Sequence, residues 1–122
     1  MFGYAVYDLI FGNGGADSLF GNAGSDTLYG NSGNDLLFGG AGNDLLFGGT
    51  GNDRFFLDGN SFDLVVDFTS GEDLIQLTGT FSDFSFSSQG TTTNILFNNS
   101  LIGIVNGTID TSAVSVDLVF VA

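Results

Sequence analysis

From residue 3 to residue 56 the chain alternates short apolar segments with short glycine-rich polar segments, and the alternation repeats every nine residues. The six consecutive units are GYAVYDLIF, GNGGADSLF, GNAGSDTLY, GNSGNDLLF, GGAGNDLLF and GGTGNDRFF. The eighth position is always apolar and the ninth is always aromatic. Because successive strand residues point to opposite faces, each unit predicts a three-residue strand with its eighth position in the core and its seventh and ninth positions outside.

Two nine-residue units running strand-turn-strand-turn form one 18-residue coil, and successive coils stack their strands in parallel. The sequence therefore predicts an all-β fold, a parallel β-roll of about three 18-residue coils. After Phe56 the period stops, and residues 57–77 alternate apolar and acidic residues around a turn at Ser70, which predicts a hairpin that closes the roll. Short strands from Phe81 to Val105 predict an antiparallel C-terminal cap.

With 122 residues, the chain is expected to form one domain. Within residues 1–122, the roll is assigned to residues 3–56 and the β cap to residues 57–122. A flexible glycine-rich linker is the alternative for the first half, but a linker would not place an apolar residue at every eighth position.

The loop segments carry the candidate chemistry. Their first position is always glycine and their sixth is always aspartate. Glycine permits positive φ and lets successive loops approach closely enough for carbonyl oxygens to surround an ion, while the aspartate adds a carboxylate. Calcium takes six to eight oxygen ligands, so a site requires two stacked loops rather than one.

Loops two units apart stack on the same side of the roll, which forms two rows of predicted calcium ligands. One row contains Asp17, Asp35 and Asp53, and the other contains Asp8, Asp26 and Asp44. The favoured site pairs are Asp26/Asp44, Asp17/Asp35 and Asp35/Asp53, whereas Asp8/Asp26 is disfavoured because the first loop has lost its fourth-position glycine. The glycines predicted to contribute are Gly12, Gly21, Gly24, Gly30, Gly33, Gly39, Gly42, Gly48 and Gly51.

Composition narrows the chemistry further. Fourteen acidic residues against the single Arg54 give a formal charge of −13, which favours cations and disfavours nucleic acid. The absence of Cys and His excludes disulfides, thiolate or imidazole zinc sites and Ser-His-Asp catalysis. We therefore expect no enzyme activity, since glycosidase-like use of Asp63 and Asp73 would need an apolar cleft. The N-terminal segment resembles neither a secretory signal nor a membrane anchor, so no membrane insertion is expected.

The repeat units match GGxGxDxUx, so the first half of the chain resembles the calcium-binding RTX proteins. The resemblance implies a right-handed parallel β-roll with a row of calcium ions along each turn face. Residues 63–75 are similar to the segment that follows the repeats in serralysin-type RTX proteases, which implies further calcium ligands at Asp63, Asp67 and Asp73. The alternative is that these three aspartates lie at the edge of the predicted hairpin.

The chain ends with an acid followed by a hydrophobic run, Asp117 to Ala122. Residues 110–122 resemble the uncleaved C-terminal signal of type I secretion substrates, and the alternative is a last edge strand. The resemblance therefore implies an extracellular or cell-surface location.

We expect the chain to fold on binding three to four calcium ions in the roll, with more in residues 57–77, because stacked aspartates repel one another without calcium. Outward aromatic residues and open coil ends predict a homo-oligomer, a structural protein that assembles into a filament or surface layer. The alternative is a calcium-dependent folding and secretion module of a larger extracellular RTX enzyme. A polysaccharide- or ice-binding face is a third possibility, for which only Thr27 and Tyr29 fit.

Overall fold

The computed structural model describes residues 6–57, 61–78, 81–106 and 118–121. One short 3₁₀ turn spans Phe81–Asp83. The strands are β1 (Leu9–Phe11), β2 (Ser18–Phe20), β3 (Thr27–Tyr29), β4 (Leu36–Phe38), β5 (Leu45–Phe47), β6 (Arg54–Leu57), β7 (Asp63–Val65), β8 (Leu74–Thr78), β9 (Phe84–Gln89), β10 (Thr92–Phe97), β11 (Ser100–Asn106) and β12 (Leu118–Val121).

The strands form two sheets on opposite sides of a roll. One sheet has the order β1-β3-β5-β7-β11-β10-β9 and the other has the order β12-β8-β6-β4-β2. Alternate strands pair in parallel with a shift of 18 residues, for example Leu9 with Thr27 and Leu36 with Arg54. The predicted all-β fold and its parallel roll are confirmed.

The core is a column of side chains between the two sheets. Each eighth-position side chain of the repeats is buried, as predicted, and the column continues through the later strands with Val65, Ile75 and Leu77. Phe68 and Phe84 pack at its C-terminal end. The repeat contributes to the column through Ile10, Leu19, Leu28, Leu37, Leu46 and Phe55.

The predicted hairpin over residues 57–77 is wrong. Strand β7 pairs in parallel with β5, and β8 pairs in parallel with β6, so this segment forms a fourth coil of the roll. The loss of the nine-residue period suggested a change of fold. However, the segment keeps inward apolar residues and an aspartate at or directly before the start of each strand, which is sufficient to continue the stack.

The antiparallel cap is confirmed for three strands. β9, β10 and β11 form an antiparallel meander, while β11 also pairs in parallel with β7. Strand β12 pairs in parallel with β8 and lies at the edge of the second sheet. No helix in the described residues is long and apolar enough to cross a membrane.

The ninth-position rings form two outer stacks, one on each sheet. Phe11, Tyr29 and Phe47 stack with ring centroids 5.0 and 4.4 Å apart. On the other sheet Phe20 and Phe38 lie 4.5 Å apart, and the next ring along, Phe56, lies 3.8 Å from Phe38. Rings in such stacks face each other, so mainly their edges are presented to solvent.

Candidate metal centre

The loops between strands require unusual backbone angles at two positions. At the second position of the loops, Asn31 has φ 73° and Gly40 has φ 89°. At the fourth position the glycines have φ between 92° and 113°, and Val6 replaces glycine in the first loop with φ 153°. Asparagine tolerates the left-handed region and glycine adopts it without strain, which explains why these residue types recur there.

In six of the eight stacked aspartates one carboxylate oxygen links two coils. The Oδ1 atom accepts the backbone N–H of an aspartate on the preceding coil, at 2.8 to 3.1 Å. The donor and acceptor pairs are Asp8 to Asp26, Asp17 to Asp35, Asp26 to Asp44, Asp35 to Asp53, Asp44 to Asp63 and Asp53 to Asp73. The two predicted aspartate rows are therefore present and each gains a member from the fourth coil.

The second carboxylate oxygen has a different environment in five of these aspartates. Their Oδ2 atoms are buried and have no hydrogen-bond partner. A buried polar atom without a partner costs about 1–3 kcal/mol, and an ionised one costs more. The five residues are Asp17, Asp26, Asp35, Asp44 and Asp53. A cation bound at these oxygens would offset the cost of burying them.

The first glycine of each loop creates the space at these oxygens. A Cβ on Gly21 would lie 2.5 Å from both Asp26 Oδ2 and the carbonyl oxygen of Gly39, one coil further on. A Cβ on Gly30 would lie 2.5 Å from Asp35 Oδ2 and 2.7 Å from the Gly48 carbonyl oxygen. A carboxylate oxygen and a carbonyl oxygen of the next coil therefore converge beside a residue without a side chain.

The same convergence occurs at Gly12, where the corresponding distances are 2.8 Å to Asp17 Oδ2 and 2.9 Å to the Gly30 carbonyl oxygen. The three loop pairs with this geometry are those containing Asp17/Asp35, Asp26/Asp44 and Asp35/Asp53. All donors are oxygen atoms, as calcium requires, and they come from two loops. The residues present thus fit calcium.

The site is not a cage of carboxylates. In the described part of the chain no three acidic, His or Cys side chains form a cluster that could hold a metal ion. The acidic groups are instead distributed along a row, and backbone carbonyl oxygens of the loops would supply the other ligands of a bound calcium ion. This arrangement suits calcium, which accepts carbonyl ligands and irregular geometry.

The aspartates of the fourth coil are placed differently from those of the repeats. Asp67 accepts the N–H of Gly48 and of Gly49, both at 2.8 Å, one with each carboxylate oxygen. Asp73 accepts the N–H of Asp53 with Oδ1 and that of Thr69 with Oδ2. Both oxygens of Asp67 and Asp73 thus bond to backbone, so these residues connect the last coil to the row.

Asp63 and Asp73 continue the two rows with altered spacing. Their Oδ1 atoms bond to residues 19 and 20 positions earlier, where the repeats use 18. A sequence search that allowed 18 to 20 residues between successive aspartates of a row, instead of 18 alone, would have placed Asp63 and Asp73 in the roll. The role of Asp63, Asp67 and Asp73 as calcium ligands stays a prediction.

The interloop role of asparagine was not predicted. Asn34 Oδ1 accepts the N–H of Asn52 at 2.8 Å, and Asn43 Oδ1 accepts the N–H of Phe62 at 3.2 Å. The recurrence of Asn at the fifth position of the last three repeats was the available signal. These amides stabilise the outer edge of the stacked loops.

Burial raises the pKa of carboxyl groups in both aspartate rows. The pKa of Asp53 is raised from an ordinary value of 3.8 to about 7, mainly by burial. The backbone N–H of Asp35 opposes this shift by donating a hydrogen bond to the carboxylate. The negative charges of Asp73, Asp35 and Asp67 raise the pKa further. Burial likewise raises the pKa of Asp26, Asp35 and Asp73, against an opposing backbone hydrogen bond. The folded roll thus favours protonated carboxyls when no cation is bound.

Protonation of the buried carboxyl groups at low pH should therefore partly substitute for calcium in stabilising the folded roll. A carboxyl group whose pKa is raised by folding stabilises the folded state most at low pH. For Asp53 this stabilisation is fully present below the unfolded-state pKa near 3.8, and it is lost as pH rises through the folded-state pKa of about 7. In chelator, we expect β-structure in far-UV circular dichroism to increase as pH falls from 8 to 5. With calcium present, the calcium midpoint should rise over the same interval because protons compete for the carboxylates. Equal β-content at both pH values in chelator would contradict this.

Stacked parallel coils, orphaned buried carboxylate oxygens and converging carbonyls define a calcium-binding β-roll module. Residues 8–37 and 29–61 match the family model of the RTX calcium-binding nonapeptide repeat. The matched stretch, residues 8–61, resembles RTX calcium-binding nonapeptide repeats. No curated protein sequence matches the chain.

Solved structures show the same fold. The chain is 29% identical to the AlgE6R3 subunit of the mannuronan C5-epimerase of Azotobacter vinelandii, with a TM-score of 0.62, over 92% of this chain and 82% of that one. The AlgE6R2 subunit of the same epimerase has a TM-score of 0.63 over 96% of this chain and 92% of that one. Its 23% identity supports similarity of fold alone.

Proposed function

We propose that the chain is a calcium-dependent folding module of a protein that acts outside the cell. The observation that carries this proposal is the set of five buried Oδ2 atoms without hydrogen-bond partners. Folding buries these oxygens, and a divalent cation is the partner that makes their burial favourable. The proposed ligands are the loop aspartates and glycines named in the sequence analysis, together with Asp63, Asp67 and Asp73 of the fourth coil.

Calcium dependence provides a reason for export in an unfolded state. Extracellular calcium modules bind at about 10⁻⁴–10⁻³ M, so the roll would stay unfolded at cytosolic calcium and fold outside. Type I secretion fits this order of events. The proposed signal, residues 110–122, lies largely outside the described residues, and residues 118–121 form strand β12 beside β8.

We assign the folded roll to an accessory role rather than to catalysis. The similarity to AlgE6R3, a subunit of an epimerase, favours a module that accompanies an extracellular enzyme. The chain itself offers neither His nor Cys as a catalytic base or nucleophile. In this interpretation the roll supplies calcium-dependent folding to the protein that carries it.

Self-association is a second candidate function, favoured by the outer apolar side chains. Leu9 and Leu45 are 62% and 39% exposed and lie beside the ring stack of Phe11, Tyr29 and Phe47. Single exposed apolar residues are ordinary, but a continuous stripe of this kind marks an interaction surface. A structural protein that assembles after export would use this stripe or the open coil ends.

The variant Asp35→Asn tests the proposed ligand set. Asp35 is buried and belongs to two proposed sites, and asparagine keeps its size while removing the charge. We expect the midpoint of calcium-induced folding, followed by far-UV circular dichroism up to about 10 mM calcium, to rise at least about tenfold. An unchanged midpoint would exclude Asp35 as a ligand.

Glu72→Gln is the matched control, since it removes one charge from an exposed side chain outside the rows. We expect its midpoint to change by less than about twofold, because exposed charges interact weakly. Equal effects of the two variants would mean that total charge, not the buried carboxylate, determines folding.

A further inference from the structure

The N-terminal coil carries the most exposed apolar side chains of the described residues. Strand β1 is the edge of the first sheet, and its outward residues join the preceding loop in one patch. The exposed fractions are 66% for Val6, 77% for Tyr7, 62% for Leu9 and 43% for Phe11. Among the described strands β1 pairs with β3 alone, so its other edge can pair with a further strand.

The opposite edge of the same sheet has a different character. Strand β9 ends that sheet, and its exposed residues include Ser85, Ser87 and Ser88. Among β9, β10 and β11, the large apolar side chain exposed to a comparable degree is Leu101, at 42%. A head-to-tail contact would therefore place the apolar patch against a serine-rich edge, whereas contact between two N-terminal ends buries apolar surface on both sides.

We propose that the calcium-loaded roll forms a closed two-fold dimer through its N-terminal coil. This inference rests on the proposed calcium-dependent folding. A symmetric interface uses the same patch on both copies and cannot extend further, so it produces a dimer rather than a filament. Antiparallel pairing of β1 centred on Ile10 would set Leu9 against Phe11 of the second copy, which are favourable cross-strand neighbours.

Calcium lowers the electrostatic cost of the association. The chain has a formal charge of −13, and three divalent ions at the three loop pairs described above would add six positive charges and leave −7. Two copies would otherwise repel each other. Asp8 is the one acidic residue among residues 6–16, so the patch itself adds little repulsion.

The size of the patch sets the expected affinity. Two aromatic and two aliphatic side chains per copy, in addition to the paired strand edges, bury on the order of 1,000 Å² over both copies. That area lies at the lower limit for specific interfaces, so we expect a dimer in the micromolar range.

Light scattering after size-exclusion chromatography, with circular dichroism on the same samples, tests the dimer. In about 10 mM calcium, at up to about 100 µM protein, we expect folded chain at twice the monomer mass. In chelator we expect an unfolded monomer. A folded monomer, or particles that grow beyond the dimer, would overturn the dimer inference alone. A chain that stays unfolded in calcium would contradict the folding proposal and the dimer with it.

The variant Leu9→Lys locates the interface. It places a charge on the patch, and because Leu9 is exposed the roll should fold with unchanged β-content and remain monomeric. Leu101→Lys is the matched control at the other end, and it should fold and dimerise like the original chain. A Leu9→Lys chain that dimerises as well as the control would overturn the proposed interface.

Discussion

Removal of calcium at neutral pH should convert the chain from β-structure to coil. In the folded roll five carboxylate oxygens are buried without a hydrogen-bond partner, and the chain has a formal charge of −13. Each site occupied at ten times its dissociation constant adds about 1.4 kcal/mol, so the three loop pairs described above would add about 4 kcal/mol. This approaches the lower limit of the whole stability of a small domain, about 5–15 kcal/mol.

Far-UV circular dichroism during titration with chelator, then with excess calcium, measures this change and its reversal. Magnesium at equal concentration and ionic strength is the control. It demands near-octahedral geometry and keeps its water ligands, so we expect it not to fold the roll. A native β-spectrum in chelator at pH 8 would show that the apolar column alone stabilises the fold.

The variant Gly33→Ala should prevent folding even in saturating calcium. Gly33 has φ 113°, and a Cβ at this position would overlap the carbonyl group of Gly15 on the preceding coil. The obstacle is backbone, which cannot move without separating two coils. We expect a loss of several kcal/mol, sufficient to leave the chain as coil in about 10 mM calcium by circular dichroism.

Gly71→Ala separates this clash from backbone strain. Gly71 also has positive φ, at 86°, but a Cβ there would have no atom within 4 Å. We expect this variant to lose about 1 kcal/mol and still fold on calcium addition. If both variants fold equally well, close approach of the coils is not what the fourth-position glycine provides.

Several features of the roll were predictable because they depend on local chemistry repeated in register. The eighth-position residue is apolar in every unit and lies between two residues that point to the opposite face, so its burial follows from the pleat of a strand. The aspartates Asp17 and Asp35 are 18 residues apart, which places them on neighbouring coils once two strands make one coil. Positive φ at Gly33 was predictable because glycine occupies the fourth position in five of the six units.

The fourth coil was not predictable from periodicity. Asp63 and Asp73 bond to Asp44 and Asp53 across 19 and 20 residues, and longer loops conceal the repeat while the strands keep the stack. Strand β5 in one sheet and strand β6 in the other each offer backbone groups for a further parallel strand, so pairing of β7 and β8 there competes successfully with a local hairpin. The spacing of residues in the sequence does not give the relative stability of parallel pairing and of a local hairpin.

The sequence by itself determined the parallel roll, the core positions, the two aspartate rows and the oxygen chemistry of the loops, because each depends on a residue type at a fixed interval. Only the tertiary structure decided how the two oxygens of a carboxylate divide their roles. The Oδ1 atom of Asp35 accepts a backbone N–H of the preceding coil, while its Oδ2 atom remains buried without a partner. That division depends on the distance and angle between stacked coils, which no single loop contains.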